Sequence, residues 1–163
     1  MTSKIYKNYI AGEFISSDRL FDDINPVDGS LVARVAEADK LMVEKAVVAA
    51  KMALKGEWGK LPLVERCKLL RRIADGIEAR FDDFVDAEIA DTGKPQSHAR
   101  AIDIPRGAEN FRFFSDLART VSTECFEMDT PDGSGALNYA VRKPMGVIAV
   151  IAPWNLPLLL LTW

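Results

Sequence analysis

Asn155 lies between Pro153-Trp154 and Pro157, inside twenty residues, 144–163, that carry no charge. A carboxamide is a neutral N–H2 donor that can be aimed at an oxyanion developing in a transition state. Asn is also a favoured helix N-cap, and a helix starting at Leu156 would use it that way. Both readings are open. The two cysteines, Cys67 and Cys125, are far apart and have no histidine at metal spacing, which argues against a structural zinc site. Cys67 falls in a helical pattern as a small apolar residue, and Cys125 in a strand. His98, the single histidine, sits in a polar Gln-Ser-His-Ala-Arg stretch and reads as solvated surface. Gly133-Ser134-Gly135 follows a turn and lacks the continuation of a dinucleotide fingerprint.

The uncharged stretch is long enough for a membrane span, which needs about 20 apolar residues. Two prolines and an asparagine in its interior count against that reading, as does its change from β-rich to Leu-rich character. The alternative is a buried strand, a sharp turn and the start of a helix. The remaining composition is that of an ordinary globular protein, with 48% apolar residues, 28% charged residues and a net charge of -3. No basic block supports nucleic-acid binding. The N-terminus has no apolar signal region, and two isolated cysteines suit a reducing, cytoplasmic setting.

The elements that would position Asn155 can be read along the chain. Residues 6–14 predict a hairpin turning at Ala11-Gly12, and Asn25-Pro26-Val27-Asp28-Gly29 a turn leading into a strand at 31–35. Asp39 is placed to cap a helix with the stripe Val43, Ala46, Val47, Ala50 and Leu54, ended by Gly56. Pro62 suits the first turn of a second helix striped by Leu70, Ile73, Ala74, Ile77 and Phe81. A third covers 81–92 and stops at Gly93, with Pro95 beyond. A fourth spans 97–118, bent or started by Pro105. Strands follow at 123–127 and 136–142 around a turn-rich 130–135. Residues 146–152 predict a strand buried on both faces. No repeat or low-complexity tract is present.

Asn8-Tyr9-Ile10-Ala11-Gly12-Glu13-Phe14, Asn25-Pro26, Gly93-Lys94-Pro95, Pro144-x-Gly146-Val147-Ile148 and Pro153-Trp154-Asn155-x-Pro157 together resemble the NAD(P)-dependent aldehyde dehydrogenases over the whole chain. Within that family, Asp103-Ile104-Pro105-Arg106, Asn110-Phe111-Arg112-Phe113-Phe114 and Trp154-Asn155-Leu156-Pro157-Leu158 look most like the muconic semialdehyde branch. The resemblance implies an α/β fold of which this chain is the first third. Residues 1–120 would be the hairpin and helices of the cofactor domain, 121–143 strands of an oligomerisation arm, and 144–163 the first strand and helix start of a Rossmann-like sheet. It also implies NAD as cofactor, with NADP open, and a homodimer or homotetramer.

The implied reaction is oxidation of an aldehyde to an acid. The substrate would be a small anionic semialdehyde from aromatic ring cleavage, 2-hydroxymuconic semialdehyde first, with the 2-amino compound or a betaine-type aldehyde as alternatives. Asn155 would be an oxyanion donor. Ile151, Ala152, Pro153 and Trp154 would line the cofactor, with a plain core strand as the competing account. Arg106 would bind the substrate carboxylate, with Arg100 and Arg112 as competitors on neighbouring faces, and Leu156 and Trp163 would line the substrate tunnel. Asp91 would approach a monovalent-cation site of some relatives. The family's cysteine nucleophile, general-base glutamate and ribose-binding lysine have no counterpart here, so the chain alone is expected to be inactive and to aggregate or need a partner. The competing account is a non-catalytic truncated product acting only as an interaction module.

Overall fold

The computed structural model describes residues 4–163. Five short strands come first: β1 (Ile5–Tyr6), β2 (Asn8–Ile10), β3 (Glu13–Ile15), β4 (Leu20–Ile24) and β5 (Leu31–Ala36). The β2–β3 hairpin turns through Ala11 (φ 55) and Gly12 (φ 92), a left-handed pair that matches strand twist. Tyr9 pairs with Phe14 across it, their ring centroids 5.1 Å apart. A separate three-stranded sheet has the order β1-β5-β4, with β1 parallel and β4 antiparallel to β5. The sequence pattern missed β1 and β4. The two aspartates of Leu20–Ile24 hide its alternation, yet Asp22 sits opposite Arg34 and accepts from its Nε at 3.1 Å.

The helices follow their caps. Met42 N–H donates to Asp39 Oδ1 at 2.7 Å, starting α1 (Lys40–Lys55), which ends at Gly56. A single turn, α2 (Glu57–Lys60), leads to α3 (Leu63–Ala79), where Pro62 occupies the cap position and not the first turn. Helix α4 (Phe81–Thr92) ends at Gly93, φ 69. The expected helix over 97–118 is in three pieces: α5 (Gln96–His98), a π-helical turn (Ala99–Asp103) and α6 (Ile104–Thr120). Proline cannot donate in a helical ladder, and the wide turn before Pro105 absorbs the missing bond. Ala74, Ile77, Val85, Ala99, Ile104 and Ala108 form the core where α3, α4 and α6 meet.

Beyond α6 the packing thins. Strands β6 (Cys125–Met128) and β7 (Ala136–Tyr139) form an antiparallel ribbon, closed by Asp132, which accepts from Thr130 and Ser134 hydroxyls. Strand β7 stops short of the 136–142 expected. The strand expected at 146–152 is not formed. A strand exists only through a neighbour's hydrogen bonds, and the described residues supply none there. Its side chains, foremost Ile151 at 95% exposed, are uncovered where burial on both faces was expected. The chain then turns at 154–156 and enters α7 (Pro157–Leu161). No helix among the described residues is long and apolar enough to cross a membrane.

Candidate active site

Gly93 is where three distant segments begin to converge. Its left-handed conformation reverses the chain after α4, and its missing side chain makes room for a neighbour. A Cβ there would lie 2.8 Å from Pro26 Cγ and 2.9 Å from Val27 Cγ2. The Asn25-Pro26 turn, shaped by Val27 N–H donating to Asn25 Oδ1 at 2.9 Å, therefore seats directly on Gly93.

Reversal at Gly93 sends the Lys94 side chain back beneath the end of α4. Its ammonium donates to Glu88 Oε1 at 2.7 Å, to Asp103 Oδ2 at 2.5 Å and to the main-chain carbonyl of Asn155 at 3.0 Å. Both carboxylates are buried, and the Lys94 side chain is only 12% exposed. Burial alone would push the ammonium's pKa down. The hydrogen bonds and charges of Asp103 and Glu88 outweigh it and raise the pKa, so Lys94 stays charged. Thr92 Oγ1 donates to the Glu88 carbonyl at 2.6 Å, closing the corner.

The turn carrying Asn155 is held from the other side by α6. Asn110 Nδ2 donates to the Leu159 carbonyl at 3.3 Å and to Thr162 Oγ1 at 3.1 Å. Gly107 admits Leu158, whose Cγ would be 2.8 Å from any added Cβ. Between these two anchors the turn itself projects. Trp154 is 84% exposed, and Pro153 and Asn155 are exposed beside it. The turn between the expected strand and α7 is exposed at Asn155, because no described element packs over it. Nor does Asn155 cap α7: Leu156 holds that position, and no side chain bonds to the helix N-terminus. Among the described residues, the Asn155 carboxamide makes no hydrogen bond, while its main chain is tied to Lys94.

The three arginines of the Arg100–Arg112 stretch separate cleanly. Arg100 pairs with Asp82 at 2.6 Å, and Arg112 with Asp75 and Glu78 at 2.7 Å each. Arg106 is exposed and joins no ion pair among the described residues. It lies in the first turn of α6, next in sequence to Gly107, against which Leu158 of α7 packs. Leu156 is half-buried behind the turn, and Trp163 is exposed.

The remaining candidates lie elsewhere in the fold. Cys67 is buried and its carbonyl accepts from Ser115 Oγ at 3.3 Å; Cys125 lies exposed on β6. His98 is exposed at the end of α5. Asp91 has its pKa raised, first by burial and then by the charge and hydrogen bond of Asp23. No group of three or more His, Cys, Asp or Glu among the described residues is arranged to hold a metal.

Sequence reasoning missed the Lys94 triad and the Asn110 clamp. A Gly-Lys-Pro following a helix stripe signals a reversal, but the acceptors lie 6, 9 and 61 positions away.

Residues 14–163 match the sequence profile of the aldehyde dehydrogenase family. The chain belongs to this family. It is 60% identical over 162 residues to 2-hydroxymuconic semialdehyde dehydrogenase of Pseudomonas sp. (strain CF600), covering 98% of this chain and 33% of that protein. It is 54% identical to 2-aminomuconic 6-semialdehyde dehydrogenase of Pseudomonas sp., again with 98% and 33% covered. The chain thus spans about a third of the length of the curated relatives it matches. The fold agrees: PnpE solved in complex with nicotinamide adenine dinucleotide superposes with a TM-score of 0.88 at 38% identity over 97% of this chain and 32% of that one. Aldehyde dehydrogenase from Bacillus cereus gives 0.90 at 32% identity over 98% and 32%. The described α/β architecture is accordingly one part of the aldehyde dehydrogenase fold.

Proposed function

We propose that these residues form the N-terminal third of an NAD-dependent dehydrogenase that oxidises 2-hydroxymuconic semialdehyde to its acid, and that they supply the oxyanion donor, Asn155. The observation that carries this is the division of labour within Asn155. Its carbonyl is fixed by an ammonium that two buried carboxylates hold, while its carboxamide stays uncommitted and projects from the turn. A side chain serving only as a cap or core polar group would be engaged with its own chain.

When a thiol adds to an aldehyde, negative charge grows on the former carbonyl oxygen. A donor already aimed at that oxygen stabilises the transition state more than the substrate. The nucleophile itself is not among these residues. Ile151, Ala152, Pro153 and Trp154 offer one wall for a dinucleotide, a run of apolar side chains beside the same turn of which all but half-buried Ala152 are exposed. Bound NAD supplies the hydride acceptor. Arg106, unlike Arg100 and Arg112, has its guanidinium available for a substrate carboxylate, which it can bind bidentately. Leu156 and Trp163 would line the approach. The β6–β7 ribbon, with Phe126, Leu137 and Tyr139 exposed and both edges open, suits an arm shared within a homodimer or homotetramer. On this reading, residues 1–120, 121–143 and 144–163 are the helical part, the arm and the sheet start.

The test joins residues 1–163 to the remaining two thirds of the strain CF600 relative and follows NADH formation. The joined enzyme is expected to oxidise 2-hydroxymuconic semialdehyde. Arg106→Met should raise KM for this anion about 10- to 100-fold, the worth of a hydrogen bond to a charged group. KM for an uncharged aldehyde of similar length should stay put. An equal rise for both aldehydes would remove Arg106 from substrate recognition, and the 2-amino compound as the better substrate would move the assignment to that branch.

A further inference from the structure

We infer that Lys94 is a positioning residue for the Asn155 carboxamide, acting through the Asn155 main-chain carbonyl; this rests on the oxyanion role proposed for Asn155. Neutralising two buried acids engages two of the three ammonium protons. The third goes 61 positions along the chain to the turn that carries Asn155. The two carboxylates fix where the ammonium sits, because charge-assisted bonds of 2.5 and 2.7 Å are short and strong.

Each carboxylate stands on something rigid. Glu88 projects from α4 beside core residue Val85, and Asp103 ends the π-helical turn next to fully buried Ile104. The position of the ammonium is therefore set by the core. Through it, so is the plane of the peptide that follows the Asn155 Cα. Holding that plane restricts where the Cα–Cβ bond, and with it the donor, can point. Asn110 and Gly107 secure α7 beyond the turn, but they act on Leu158, Leu159 and Thr162. Among the described residues, Lys94 alone hydrogen-bonds Asn155. A donor misplaced by about 1 Å can cost roughly 10²-fold in rate.

The joined enzyme described above provides the test. Removing Lys94 alone would strand two buried anions, so the decisive variant is neutral throughout: Lys94→Met with Glu88→Gln and Asp103→Asn. It preserves volume and leaves no buried charge unpaired. The expected result is a kcat lower by about 10- to 100-fold, with KM for NAD and the melting temperature near those of the parent. Introduced into the Asn155→Ala enzyme, the same triple change should cost less than about threefold, because its route of action has been removed.

An unchanged kcat in the triple variant would overturn the inference. So would an equal loss with and without Asn155. If Asn155→Ala by itself left kcat unchanged, the oxyanion role would fail, and this inference with it. Should the triple variant not fold, Lys94→Arg keeps both ion pairs while replacing a compact ammonium with a planar fork. A lower kcat is then expected only where Asn155 is present, and no loss would be the contradicting result.

Discussion

Two apolar regions of this chain meet opposite fates. In the helical core, Ile104 is 0% exposed and surrounded by residues from α3 and α4 and by the π-helical turn. In the uncharged 144–163 region, Ile151 is equally apolar and 95% exposed. The helices complete their hydrogen bonding internally, so a few of them can bury one another's stripes within 120 residues. A sheet strand completes neither its hydrogen bonds nor its burial without neighbouring strands, and among the described residues 146–152 has no strand partner. Hydrophobicity supplies the material of a core, and partners decide whether it becomes one. What ties the uncharged region to the helical part is Leu158 and Leu159 packed at its C-terminal end, with one ammonium and one carboxamide, Lys94 and Asn110, reaching across to it.

The sharpest way to break this contrast is to truncate one isoleucine in each region. Ile104→Ala removes buried atoms and leaves a cavity, and should cost about 2–5 kcal/mol in chemical unfolding of the 163-residue chain. Ile151→Ala should fall within about 0.5 kcal/mol of the parent. A comparable loss at both sites would mean that Ile151 is packed as Ile104 is. A smaller effect sharpens the boundary between the regions. Gly107→Ala places a Cβ 2.8 Å from Leu158 Cγ, where α6 grips α7. Overpacking of this kind should cost about 1–3 kcal/mol. If α7 instead swings aside, the melt will be unchanged, and Trp154 or Trp163 fluorescence will shift.

The helical part was largely legible because its signals are local. Asp39, Gly56, Gly93 and the stripe through Ile77 each act within a turn or two of their own position. The hairpin at Ala11-Gly12 was legible for the same reason. Strands β1 and β4 were not, since they exist only by pairing with β5, to which Ile5 is joined opposite Arg34, and Asp22 earns its place only opposite that same arginine. At the candidate site, Asn155 stood out by residue type and flanking prolines, and Arg106 by resemblance. The exposure of 146–151 was misread because the expected strand was assumed to have a sheet around it. The Lys94 triad could not be read at all. It joins residues from α4, the π-helical turn and the 153–155 turn, and no period or motif links them.

Asn155 is the point at which the two regions meet, held by the first and belonging to the second. The most direct measurement is steady-state kcat of Asn155→Ala in the joined enzyme, alongside its melting temperature. A donor to the developing oxyanion predicts a fall in kcat of about 10²–10³, or roughly 3–4 kcal/mol, with the melt unmoved. A kcat that stays at the parent value, or a loss of activity that follows only a loss of folded protein, would contradict it.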